Sequence, residues 1–267
     1  MQRTLKFLLS QGEAKNLYPQ FGMTASVYSN CVNVALPAII TNLINNKKAR
    51  VLWDRRPEHL QKCAEQTSKF LELQNVVGML DGKKFSTLNA DDPLDQNSDY
   101  NGWSGGTFRG AVFLWDPFGK IIDAGINMPG SFHDSKASLY ANIYKHIEDL
   151  PEPYCIVCDS AFQTGGGKLE GKILKTDVEN GQEGKSERDM ALTHLRQCSE
   201  WSNQVLVGVF RHLKAKLETD NISRAQLLWA CILLHNFRTE TVQRNQIRTY
   251  FEKINCDEEV LMDSEQE

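Results

Sequence analysis

Three acidic residues stand where their neighbours give them chemistry to do. Asp81 closes the apolar run in VVGMLDG, and Asp159 closes the one in PYCIVCD. Both runs, 76–80 and 154–158, read as buried strands that feed directly into an acid. Adjacent strands ending at one sheet edge bring such acids together, and close carboxylates cost on the order of several kcal/mol unless a cation neutralises them. Mg²⁺ suits that arrangement, because it takes few carboxylates, keeps water and accepts phosphate oxygens as further ligands. A pair of such ions would activate water on one side of a phosphodiester and stabilise the leaving oxygen on the other. Glu200, in RQCSEWSNQVLVGVF, supplies a third acid if its helix crosses the sheet facing the aspartates. Each feature also has a plain structural reading: Asp-Gly is a common turn, and a mid-helix glutamate beside Trp201 is ordinary on a surface.

The elements that must position these acids follow from periodicity. Residues 1–72 read as helical. Leu5, Leu8 and Leu9 form a first stripe, and the segment from Asn16 to Ile44 reads as short helix, turn and longer helix. Gly22 supplies the turn and Thr24 or Ser26 the cap, with Val27, Cys31, Val34 and Leu36 at helical spacing. This is a helix-turn-helix pattern, although any small helical hairpin has the same outline. Another helix starts near Pro57. The pattern then changes to VVGMLDG, TFRGAVFLWD and KIIDAGINMPG, the last two joined as a hairpin through Pro117, Phe118 and Gly119. SFHDSKASLYANIYKHIEDL predicts a helix, PYCIVCDSAF a strand, and 163–188 mostly a loop. Helices follow over Glu187–Leu217, with Leu206, Phe210, Leu213 and Leu217 as its stripe, and over RAQLLWACILLHNFRTETVQ. Hairpin strands, a crossover helix and a further strand predict an α/β fold: a mixed sheet flanked by helices, with the element order of an RNase H-like domain. The expected division is 1–72 helical region, 73–253 catalytic domain and 254–267 acidic, disordered tail.

Composition narrows the class. With 41% apolar and 24% charged residues, the chain reads as an ordinary globular protein, and no apolar run approaches a bilayer span. The opening MQRTLKFLLSQGE lacks a convincing signal peptide, so an intracellular protein with no membrane partner is expected. Seven cysteines argue against a disulfide framework. Cys155 and Cys158, three apart on a strand, face opposite ways and read as buried thiols rather than a chelating pair. The net charge of −4 includes six acids in 254–267; without them the body holds 30 bases against 28 acids. Basic clusters at Lys83 and Lys84, and at Arg211, Lys214 and Lys216, are candidate DNA contacts or plain solvated charge.

Five blocks, taken in order, carry a family likeness: GMLDGKKF, INMPGSFHDSKA, VCDSAF, LRQCSEWSNQVLVGVFRHLK, and LLHNFR with NQIRTYF. With LSQGEAKNLYPQFGMTASVYSN ahead of them, they span most of the chain, about Leu5 to Tyr250. The chain resembles the PIF/Harbinger transposases and the nucleases derived from them, within the DDE endonuclease group. The resemblance implies an RNase H-like catalytic domain using Mg²⁺ or Mn²⁺, with Asp81, Asp159 and Glu200 as metal-binding catalytic acids. It implies helper roles for His133 and Asp134, although an acid at Asp134 also suits a helix start. Asn236, in LLHNFR, matches a family position and reads better as holding a helix end. Lys83 and Lys84 replace the Thr-His pair often seen after Asp-Gly in this group.

From the same resemblance come DNA as partner, a homo-oligomer as working form and the nucleus as location. The near-neutral body and acidic tail point besides to a separate DNA-binding partner protein, or to a domesticated, catalytically silent DNA-binding or scaffold protein. Retention of all three acids favours an active endonuclease or transposase. A metal-dependent hydrolase of RNA would share the site without the helix-turn-helix.

Overall fold

The computed structural model describes residues 2–10, 17–68, 73–162, 167–175, 187–243 and 247. Four helical segments come first: α1 (Gln2–Leu9), a 3₁₀ turn at Tyr18–Phe21, α2 (Ala25–Leu43) and α3 (Pro57–Thr67). Gly22 closes the turn at φ 62°, and the Thr24 hydroxyl caps α2 by accepting the Val27 N–H, as the sequence predicts. The buried stripe of α2 is Tyr28, Val32, Leu36 and Ile39, packed toward the C-terminal helix of the domain. Of the apolar residues expected there only Leu36 is buried, while Val27 and Val34 are exposed. The i, i+4, i+8, i+11 spacing from Tyr28 matches the helical period better than the spacing that includes Val34.

The sheet is built from β1 (Val76–Ser86), β2 (Tyr100–Asn101), β3 (Gly106–Trp115), β4 (Ile121–Pro129), β5 (Cys155–Cys158) and β6 (Ile173–Leu174). Its main order is β4-β3-β1-β5-β6, with β2 pairing the start of β3. β1 is central, antiparallel to β3 and parallel to β5. The β3–β4 hairpin turns where Pro117-Phe118-Gly119 predicts it, with Gly119 at φ 85° and the Asp116 carboxylate accepting the Phe118 and Lys120 N–H groups. This mixed α/β architecture is the one the sequence order predicts.

Strand alternation makes two cores. Met79, Phe113, Trp115 and Val157 face α1, α2, α7 (Glu187–Val209) and α8 (Asn221–Val242). Leu80, Val112, Leu114, Ile156 and Cys158 face α3, α5 (Asp134–Tyr140) and α6 (Ile143–Glu148). Cys155 and Cys158 fall in different cores, both free and buried, in line with the alternation argument.

Several local expectations change. Asp-Gly at 81–82 is not a turn, and Asp81 is not at a strand end: β1 runs on to Ser86 because β3 offers it partners as far as Ser86↔Phe108. The predicted helix 131–150 is two, broken where Asn142 takes φ 59°. A helix α4 (Pro93–Asp99), capped by the Asp92 carboxylate, fills the stretch between β1 and β2. The stripe ending at Leu217 is buried throughout, but α7 stops at Val209, a 3₁₀ turn, Arg211–Lys214, carries Leu213, and Leu217 bridges to Thr87. Asn236 holds no helix end: fully buried in mid-α8, its amide brackets the Ile121 N–H and C=O at 2.8 Å each. The expected loop 163–188 contains β6, its remainder lying partly outside the described residues, as does the 254–267 tail.

Candidate active site

Register decides where the acids point. Met79 pairs with Val157 and Leu80 with Cys158. The next residues, Asp81 and Asp159, therefore turn to the face of Met79 and Val157, which α7 covers. β5 ends at Cys158, so Asp159 opens a turn in which its Oδ1 accepts the Ser160 N–H at 2.6 Å. Asp81 stays in the sheet opposite Phe113.

Across this face α7 lays Arg196, Glu200 and Asn203, four and three residues apart and hence on one side of the helix. The Asn203 Nδ2 donates to Asp81 Oδ2 at 2.7 Å and to the Gly82 carbonyl at 3.4 Å. Arg196 reaches Asp159 Oδ1 at 3.3 Å and Glu200 Oε1 at 3.6 Å. These partly exposed ion pairs contribute little stability, about 0–1 kcal/mol, but they fix directions. Glu200 thus faces the aspartates, through a side chain 46% exposed.

A further acid arrives from the opposite face. Asp134, first residue of α5, seats its carboxyl on Gly82, where an added Cβ would lie 2.4 Å from Asp134 Cγ. Burial raises the Asp134 pKa, the Asp159 charge adds to that, and Lys84 and His133 oppose it. Burial also pushes Asp81 up to about 7, reinforced by Asp134 and Glu200, against the opposing hydrogen bonds of Gly82 and Asn203. Four carboxyl groups thus interact around the end of the parallel β1–β5 pairing.

Their fit to a divalent ion rests on donor chemistry. The oxygens are hard, they converge on one half-buried region, and Asp81 carries a burial cost that a nearby cation would relieve. As the side chains stand, no three His, Cys, Asp or Glu groups among the described residues form a ready ligand set, and Arg196 supplies the local positive charge. In chemical type these oxygen donors suit a divalent cation.

Residues 80–236, more than half of the chain, match the family described as DDE superfamily endonuclease. The chain belongs to this family. Comparison with curated proteins and with solved structures gives no match. The matched segment opens at Leu80, beside the first acid, and closes at the buried Asn236. DDE endonucleases are nuclease-type hydrolases and generally use divalent metals.

Within this member of the DDE endonuclease family, the structure brings Asp81, Asp159, Glu200 and Asp134 together. His133 is exposed at the N-cap of α5 beside Asp134. Lys84 lies on the Asp134 side of β1 and Lys83 on the other, both half-buried. Arg211 and Lys214 are exposed on the 3₁₀ turn after α7. Sequence reading missed Arg196 and Asn203. Arg196 was detectable four residues before Glu200 in RQCSE, whereas nothing in the sequence singles out Asn203.

Proposed function

We propose that this chain is a divalent-metal-dependent DNA endonuclease or transposase of the PIF/Harbinger type, working in the nucleus with Asp81, Asp159 and Glu200 as its metal-binding triad. The observation that carries this reading is the half-buried Asp81 with Asp159 one strand away and Glu200 on the helix above. A bound Mg²⁺ or Mn²⁺ supplies charge stabilisation at a scissile phosphate and a water nucleophile at neutral pH. The protein's own groups orient that chemistry. Asn203 fixes the Asp81 carboxylate, Arg196 spaces Asp159 from Glu200, and Lys83 and Lys84 offer cations to a phosphate backbone. Asp134 can hold a proton on its half-buried carboxyl beside them. α2, which a helix-turn-helix would lay in a groove, contains no lysine or arginine, in keeping with a separate DNA-binding partner.

The testing experiment is Mg²⁺- and Mn²⁺-dependent nicking of supercoiled plasmid by wild type and Asp159→Asn. Cleavage lost in the variant and in EDTA is the expected result; cleavage that survives the substitution rejects the triad. No cleavage by wild type at high Mn²⁺ favours the second reading, a domesticated, silent DNA-binding or scaffold protein. The Arg196 guanidinium between Asp159 and Glu200 is the observation on its side. Asn203→Leu removes the donor to Asp81 while keeping the volume, so divalent-ion affinity should fall about 10–100-fold. Calorimetric Mn²⁺ titration of both proteins checks this, and equal affinity contradicts an orienting role.

A further inference from the structure

Trp103 is 97% exposed, the most exposed large apolar side chain among the described residues. It sits in the turn between β2 and β3, and that turn is built rather than loose. Asn101, only 7% exposed, accepts the Ser104 N–H at 2.9 Å and donates to the Gly130 carbonyl at 2.8 Å. Gly105 closes the turn at φ +63°, with open space around it. A buried amide and a left-handed glycine therefore hold an indole out in water, where it stabilises nothing in this chain.

Its position follows from register. Ser86 pairs with Phe108, and the Thr87 N–H donates to the Thr107 carbonyl, so the turn lies beyond the end of the strand that carries Asp81, Lys83 and Lys84. At the same end, Leu217 bonds Ser86 and Leu88, which brings in the segment bearing exposed Lys214 and Lys216. Asp91, Asp92, Asp95 and Glu218 are near in sequence and offset this charge, so the indole rather than net charge must carry recognition. Gly130 also begins the loop that delivers Asp134 to Gly82, which fastens the Trp103 turn to the acid cluster.

We propose that Trp103 stacks on an unpaired nucleobase of DNA lying along the second half of β1, from the carboxylates at its middle to the exposed indole beyond its end. The choice of DNA rests on the function proposed above; the stacking itself does not need cleavage. An indole face accepts any base, and its removal weakens single-strand contacts about 5- to 100-fold.

The test is fluorescence anisotropy of the full chain with a labelled duplex carrying a single-stranded overhang, in EDTA across a salt series, beside the blunt duplex. Trp103→Ala should bind the overhang DNA about tenfold more weakly, leave blunt-duplex affinity unchanged and keep the salt slope. Trp103→Phe should restore most of the loss, while Lys214→Ala with Lys216→Ala should reduce the slope instead. Equal overhang binding by wild type and Trp103→Ala overturns the proposal, as does an equal loss on both DNAs, or no DNA binding by wild type. A change in self-association in place of DNA affinity would assign the indole to a second copy and overturn it too. Failure to cleave plasmid with Trp103-dependent binding intact would sink the metal-nuclease reading and leave this one standing.

Discussion

Asp81→Asn should give a protein that melts higher than wild type at pH 8 and has lost DNA cleavage by about 10²–10³-fold. The two effects share one cause. An aspartate ordinarily titrates at 3.8, whereas burial moves Asp81 to about 7. Below pH 3.8 the carboxyl is protonated in the folded and unfolded chains alike, and it costs nothing. Between 3.8 and 7 the unfolded chain ionises while the fold still holds the proton, so stability falls as pH rises. Above about 7 the full cost is present, about 4 kcal/mol at most and less where water screens the group. An asparagine has no charge to bury, so the variant should lack this pH slope. Its amide would place a donor against Asn203 Nδ2, but the Asn203 Oδ1, buried and unpartnered, accepts it once that amide turns over. Added Mg²⁺ should raise the wild-type melting temperature at pH 8 and leave the variant unmoved. Melting curves at pH 5 and 8, with and without the ion, measure all of this, and parallel pH slopes for the two proteins would refute the burial argument.

Gly130→Ala should be the most damaging methyl group that can be added to the β4–α5 loop. Its Cβ would stand 2.2 Å from the Phe108 carbonyl oxygen and 2.3 Å from that of Asp99. Both are backbone atoms, one in β3 and one at the end of α4, and neither can rotate away. The loop is tied on either side, by Asn101 to the Gly130 carbonyl and by the Ser131 N–H to the Ser98 carbonyl. Relief therefore requires the loop to lift from the sheet at about 3 kcal/mol or more. Lifting it carries His133 and Asp134 away from Gly82, so divalent-ion affinity should fall along with stability. Gly208→Ala is the control: in α7, with nothing within 4 Å, it should be neutral or stabilising by about 0.5–1 kcal/mol. Urea denaturation separates the two, and similar midpoints for both variants would refute the crowding.

The parts of the site that were legible in sequence are those set by short-range pattern. Apolar runs ending in Asp81 and Asp159 marked strands and acids together, because period-2 burial and a sudden charge are visible within ten residues. Their common face needed only the register of β1 against β5. What Glu200 faces was not legible, since it depends on how α7 is rotated over the sheet, and Asn203 becomes visible only once that rotation is known. The Asp-Gly pair misled for a related reason. A turn signal is a local preference, and the partners offered by β3 as far as Phe108 overrode it. β2 and β6, two residues each, are too short to carry any period. α4 was readable in retrospect, because Asp92-Pro93 is a cap followed by a first-turn proline. Asn236 was misassigned because a buried amide gripping another strand's backbone leaves no trace in its own neighbours.

The central place of β1 also governs the order in which the acid cluster is assembled. As the chain leaves the ribosome, β1 finds its antiparallel neighbour β3 within some thirty residues, but its parallel neighbour β5 only after Cys155 has emerged. Glu200 and Asn203 come later still, on a helix that must dock across strands already made. Contacts of such long sequence separation form late in folding. A chain that ends before α7 keeps Lys83, Lys84, Asp81, Asp134 and Asp159 but lacks Arg196, Glu200 and Asn203, so the fold completes the acid cluster only after α7 has emerged.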